Sequence, residues 1–228
     1  MEPNLIPRKN GTHDIPTQVK NPDLVDQRRR QIATAAAKLF VKQGFHKTTT
    51  RQMARAAGVS VGSLYEYFPS KEDILYQVCH TIHVEVERGV SQAMAGNTKG
   101  REALAAVIRE YFQVCHRMSD VILLIYQETQ SLPEQWQKRV LENELRLTGL
   151  FVQVLVRLTE TGDLPEMDAH ALELAAHNIS VLGHMWTFRR WFLSRHYTIE
   201  DYTRHQTDFI VGLLGRPGSL RRSGIGSP

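Results

Sequence analysis

From Leu24 onward, apolar residues recur at helical spacing almost without interruption, and no stretch alternates with a period of two long enough for a sheet. That single feature predicts an all-α protein. Glycine and proline cut the pattern into pieces of unequal length. Ile32, Ala36, Leu39 and Phe40 form one stripe, closed by Gly44. Met53, Ala54 and Ala57 mark a short second helix, closed by Gly58, and Val61, Leu64 and Phe68 a short third, closed by Pro69. A long fourth helix follows from Lys71 to about Ala95, with Ile74, Val78, Ile82 and Val86 at steps of four. At 1.5 Å per residue it would be roughly 37 Å long, enough to link two domains. Further helices are expected over 101–118, 121–131, 134–161, 168–193 and 198–214, with breaks at Ser119-Asp120, Pro133, Gly162 to Pro165 and Ser194 to Tyr197.

These boundaries define the domain organisation. Residues 1–22 carry four prolines and no sustained periodicity, and read as a flexible basic arm. A domain of short helices is expected over 23–70, a longer helical domain over 71–215, and a disordered tail over 216–228. The longest wholly apolar run is six residues, Val121 to Tyr126, too short to span a bilayer. The opening MEPNLIPRKN has no apolar stretch for a secretory signal. Only Cys79 and Cys115 occur, which fits a reducing compartment and disfavours a disulfide framework or a thiolate zinc site. A cytoplasmic location is expected, with no membrane partner.

The charge is unevenly distributed. The chain holds 28 Lys and Arg against 24 Asp and Glu. Residues 1–75 contain 12 of the former and 7 of the latter, leaving 16 and 17 beyond. A basic first part beside a near-neutral second suggests that the first part meets a polyanion, although a solubilising tail would give the same imbalance.

The segment Thr48 to Lys71, TTTRQMARAAGVSVGSLYEYFPSK, carries the function. Two short helices joined through Gly58 form a helix-turn-helix. Ser60 is placed to cap the third helix, Ser70 the fourth and Thr50 the second. With those starts fixed, Val61, Leu64 and Phe68 are expected to turn inward, and Gly62, Ser63, Glu66 and Tyr67 outward. A helix offered to a major groove needs small residues near its N-terminus for close approach, with phosphate donors beyond them. Gly62 and Ser63 meet the first need, and Tyr65, Tyr67 and Lys71 the second. Arg51 opens the second helix within reach of a guanine edge or a phosphate. Packing against the first helix is the competing reading for Tyr65 and Tyr67.

The run GVSVGSLYEYFPSKEDIL resembles the characteristic stretch of the TetR family of bacterial one-component regulators, and the preceding RRRQIATAAAKLFVKQGFHKTTTRQMA resembles that family's first two helices. The resemblance covers about residues 28–78. It implies DNA contacts at Arg51, Val61, Gly62, Ser63, Tyr65, Tyr67 and Lys71, a homodimer on a palindromic double-stranded operator, and release of DNA when a small effector binds the C-terminal domain. Val61 and Gly62 imply little direct hydrogen-bond readout.

Two-fold pairing would double the base contacts, with half-sites about 34–36 Å apart or a multiple of that. Leu172, Ala176, Ile179, Gly183 and Trp186 form one candidate interface stripe, and Tyr202, Phe209 and Leu213 a second; burial in the chain's own core is the alternative. For the effector, polar and aromatic residues on otherwise apolar helices are candidates: Tyr76, His80, His83, Tyr126, Trp186, Arg189 and Arg190, with Tyr111, His116 and Trp136 beside them. Each also reads as core. Arg189 and Arg190, within GHMWTFRRWFL, would suit the anionic head of an acyl-coenzyme A or fatty acid, and the segment loosely resembles family members that regulate fatty-acid degradation. His80 with His83, and His177 with His184, raise a metal alternative, but no HExxH motif, Cys partner or clustered carboxylates accompany them, so neither metal nor cofactor is expected. An enzyme acting on a phosphorylated substrate is disfavoured because no GxSxG, phosphate-cradling loop or paired carboxylates occur. A constitutive DNA-binding protein without ligand control is the remaining alternative.

Overall fold

The computed structural model describes residues 15–96 and 98–215. Among them there is no strand, and the helices run α1 (Pro22–Gln43), α2 (Thr50–Ala57), α3 (Val61–Tyr67), α4 (Lys71–Met94), α5 (Gly100–Arg117), α6 (Ser119–Glu128), a 3-10 turn (Thr129–Ser131), α7 (Glu134–Glu160), α8 (Ala169–Leu193) and α9 (Ile199–Leu214). The predicted all-α class is the observed one. The expected breaks fall within a residue or two of those found, except that Ser119 and Asp120 open α6 rather than precede it. The reason is local: the Ser119 hydroxyl donates to the Cys115 carbonyl, and the chain turns at Met118 alone.

Two compact units can be distinguished. The first holds the described residues through Thr81 together with Leu124–Val140. The second holds Ile82–Leu123 and the described residues from Leu141 onward. The core of the first is built by Ile32, Ala36 and Phe40 of α1, Met53 and Ala54 of α2, and Leu64 and Phe68 near α3, all essentially inaccessible. Phe45 closes it, edge-on to Phe40 with centroids 5.2 Å apart. In the second unit α5 packs on α8 and α9. Val107, Ile108, Phe112, Phe151, Ala176 and Ile179 fill its interior.

Helix ends follow the caps. Ser60 accepts from the Ser63 amide and opens α3. Ser70 accepts from the Asp73 amide and opens α4. At α2 the cap is Thr49, not Thr50: its hydroxyl accepts from the Gln52 amide while the Gln52 side chain accepts from the Thr49 amide. In a run of three threonines only Thr49 has a Gln at the third helical position, which completes the reciprocal pair. Gly58 ends α2 with φ +67° and ψ 32°, a left-handed conformation that costs glycine little.

The described part of the expected arm is tied down. Arg29, 1% exposed, donates through Nη2 to the Ile15 and Pro16 carbonyls (2.6 and 3.1 Å) and through Nε to the Tyr67 carbonyl (3.2 Å). Ile15 is buried, and the Thr17 hydroxyl and Gln18 amide both donate to the Glu66 carbonyl. A buried guanidinium needs acceptors, and this segment's carbonyls supply them. Pro22 then stands at the first position of α1 behind the Asn21 cap, so the arm assigned to 1–22 gives way to ordered chain from residue 15. Residues 1–14 and the expected tail over 216–228 lie outside the described residues.

Candidate nucleic-acid interface

On the first unit α3 turns Leu64 into the core and leaves Val61, Gly62, Tyr65 and Glu66 exposed, with Ser63 half-buried. The Tyr65 hydroxyl lies 3.5 Å from the Thr50 hydroxyl, which joins the exposed face of α3 to the first turn of α2. Arg51, next along that turn, is exposed. Thr50, Arg51, Val61, Gly62, Ser63 and Tyr65 are thus carried by two short helices that the Thr49, Gly58 and Ser60 caps hold in place. At Gly62 an added Cβ would meet only the Ser60 hydroxyl, at 3.8 Å. The small face is open to approach by a large partner.

Three expected orientations change. Val61 is 37% exposed rather than inward, because the Ser60 cap places it in the first turn, ahead of the residues that meet α1 and α2. Tyr67, expected outward, is buried at 5% exposure, whereas Tyr65 stands 45% exposed, as a phosphate donor must. Leu64, Tyr67 and Phe68 lie three and four residues apart on the inward face, and the Tyr67 carbonyl is held by buried Arg29. Lys71 is not a free phosphate donor. Its ammonium donates to the carbonyls of Phe45 (2.8 Å), Thr48 (3.1 Å) and His46 (3.4 Å) and sits 4.1 Å from the centroid of the Phe45 ring. It fastens α4 to the turn between α1 and α2. Spacing gave no warning of this, because the carbonyls belong to residues more than 20 positions away.

Asp73 and Trp136 form a second fastening. The Asp73 carboxylate accepts from the Ser70 hydroxyl (2.6 Å) and from the Trp136 indole (2.8 Å), and Tyr76 stacks on Trp136 with centroids 4.1 Å apart. Asp73 lies in the first turn of α4, where a carboxylate is favourable, but its indole partner is 63 positions away and has no local signal.

The effector candidates are not gathered within either unit. Tyr76, His80 and Tyr126 belong to the first, and His83, Trp186, Arg189 and Arg190 to the second. Tyr126 is exposed. Trp186 is buried, its indole donating to His116 Nδ1 at 2.9 Å. Arg190 is paired with Asp120, and Arg189 is exposed beside the Trp191 ring. The second unit instead has a polar centre in which His83, Ser180, His184 and Tyr111 are buried and Glu144 is half-buried. His83 Nε2 lies 3.5 Å from Glu144, whose other oxygen accepts from the Ser180 hydroxyl at 3.4 Å, and the Tyr111 hydroxyl donates to the Ser180 carbonyl. Burial pushes the Glu144 carboxyl up, but the His83 hydrogen bond and the charges of His184 and His83 outweigh it and leave its pKa lowered. Burial lowers the pKa of His184, partly opposed by Glu144. Burial also pushes the Cys79 and Cys115 thiols up to about 12, leaving them unreactive. Among the described residues no three His, Cys, Asp or Glu side chains are grouped to hold a metal ion.

The expected interface stripe of α8 faces inward. Ala176, Ile179, Gly183 and Trp186 are buried and Leu172 nearly so, because Gly183 lets the Tyr111 ring approach within 2.4 Å of where a Cβ would stand. Tyr202 is also buried, its hydroxyl donating to the Leu182 carbonyl. The exposed apolar face of α8 carries Leu174, Val181, Met185, Phe188 and Phe192, shifted around the helix from the assigned stripe, while Phe209 and Leu213 of α9 are exposed as expected.

A helix-turn-helix with an open, small-faced third helix, followed by a helical bundle with exposed apolar faces on its last two helices, defines a class: a DNA-binding regulator that pairs with its own kind. Comparison with known proteins agrees. Residues 32–78 match the family described as bacterial regulatory proteins, tetR family, and residues 97–214 match the tetracyclin repressor-like C-terminal domain. The chain belongs to the TetR family of transcriptional regulators. It is 28% identical over 201 residues to the HTH-type transcriptional regulator HbdR of Aromatoleum sp. (strain CIB), covering 88% of this chain and 86% of that one. The TetR family regulator PfmR from Thermus thermophilus superposes with a TM-score of 0.66 at 25% identity, over 81% of this chain and 99% of that one. FadR from Bacillus subtilis, solved with stearoyl-CoA, superposes at 0.65 and 21% identity over 82% and 97%. By membership the chain is a regulator that binds operator DNA as a homodimer and is not an enzyme. No helix among the described residues is long and apolar enough to cross a membrane.

Proposed function

We propose that the chain is a cytoplasmic, ligand-responsive repressor that leaves a palindromic operator when a hydrophobic, acyl-coenzyme A-type effector binds. The observation that carries the reading is the capped α2–α3 pair, which offers Thr50, Arg51, Val61, Gly62, Ser63 and Tyr65 together on an exposed face. Tyr65 and Thr50 supply hydroxyls for phosphates, Gly62 and Ser63 permit close approach, and Arg51 supplies the cation. Tyr67 and Lys71 support that surface from beneath. The DNA-binding part is assigned to 23–70 and the effector and pairing part to 71–215, with pairing through the exposed faces of α8 and α9. The bundle of the second unit and the stearoyl-CoA held by FadR support an acyl-type effector.

The test is operator release. Protein bound to the DNA beside its own gene is titrated with acyl-coenzyme A thioesters, the matching free acids and neutral hydrophobes. Release by a thioester supports the reading, and no response to any thioester overturns the effector assignment. Arg51→Ala refines the DNA side. If Arg51 touches a base, the variant loses about tenfold or more on the operator and much less on random DNA. An equal loss on both assigns it to phosphate.

A further inference from the structure

Within the second unit, where α4 ends, α5 begins and α7 ends, lies a groove of about 670 Å³, a size common for small-molecule sites. Its apolar wall is Met94, Val107, Val154 and Leu158, the last three buried. Its rim carries Lys99 and Arg157, both exposed, and one carboxylate, Asp163. Asp163 accepts from the Thr161 hydroxyl at 2.6 Å and lies so close to Gly100 that a Cβ there would stand 2.9 Å from its oxygen. Two cations against one carboxylate leave surplus positive charge above an apolar wall. The first amides of α5 lie at the same rim, and Lys99, at the capping position, offers no side-chain acceptor to satisfy them.

Resting on the effector reading above, we propose that this groove receives an amphipathic organic anion. Its apolar part lies on Val107, Val154 and Leu158, and its anionic group lies between Lys99 and Arg157. An arginine supplies a planar fork for carboxylate or phosphate oxygens and a lysine a mobile point charge, so together they suit a thioester's phosphates or a free acid's carboxylate. Arg189 and Arg190, the pair singled out by spacing, do not line this groove; Arg190 is already paired with Asp120.

The test is calorimetric titration of the full chain with butyryl-, octanoyl- and palmitoyl-coenzyme A, with coenzyme A and with the three free acids. Wild type is compared with Arg157→Gln, Lys99→Gln, a distant control, Arg88→Gln, and Ala103→Trp, which fills the groove because Ala103 also lines it. The inference predicts a Kd raised by about tenfold for each charge variant, because a lost charge-assisted hydrogen bond is worth about that factor. It further predicts weakening by Ala103→Trp, an unchanged control, and unchanged operator affinity without ligand. If thioesters bind and free acids do not, the anionic group is phosphate; the converse makes it carboxylate. Binding within twofold of wild type in all three groove variants, with release intact, overturns the groove and leaves the effector reading standing. Binding of no compound to wild type overturns both.

Discussion

Lys71 shows how one side chain changes meaning between spacing and structure. Counted from the recognition helix, it is a cation one turn beyond the exposed face, where a phosphate contact is expected. In space its ammonium is turned onto the carbonyls of Phe45, His46 and Thr48. Lys71→Met should therefore lower stability by about 2 kcal/mol, since carbonyls that had a charged donor lose it. Urea unfolding of the variant checks this. Its salt slope of DNA binding should match wild type, because no phosphate contact is removed. A flattened slope with unchanged stability would return Lys71 to the phosphate role. Arg29 follows the same logic: three arginines in a row read as surface charge, and nothing in the run marks the middle one as the buried donor to Ile15, Pro16 and Tyr67.

At the scale of helices, periodicity and caps carried most of the fold. Gly44, Gly58, Ser60, Ser70 and Pro133 act through their own backbones or nearest neighbours, so their effects can be read locally. Which face of α8 turns inward could not be read that way. Both faces are apolar enough to be core, and the choice is made by Tyr111, from another helix, lying over Gly183. Gly183→Ala should force that ring aside and cost about 1–3 kcal/mol, against the modest gain expected from alanine in an exposed helix. Denaturant melts of the variant decide between the two. A stabilised variant would show that the ring does not pack there. The displaced stripe also moves the proposed pairing face to Leu174, Val181, Met185, Phe188 and Phe192.

For the molecule as a whole, the polar centre of the second unit couples folding to pH. Burial keeps the His184 pKa below its ordinary 6.5, so the unfolded chain takes up a proton first as pH falls. The His184 contribution is full above about 6.5 and is lost as pH descends toward the folded value, with Glu144, whose pKa is also lowered, adding a further loss below its ordinary 4.5. Melting temperature should fall steadily on acidification, and His184→Gln should flatten the upper part of the curve; identical curves for the two proteins would discount the histidine. The polar centre was only partly legible: His83 was a candidate, but Glu144 and Ser180 gain their meaning from helices brought together by the fold. The central claim is that α3 presents an open, small face to duplex DNA, and Gly62→Glu tests it most directly. There is room for the new side chain, and an acidic residue in a helix's first turn is tolerated, so the fold should melt as wild type does. The account predicts that fluorescence anisotropy will show operator affinity reduced by about a hundredfold or more, as bulk and negative charge meet the DNA. A correctly folded variant that binds the operator as tightly as wild type would contradict it.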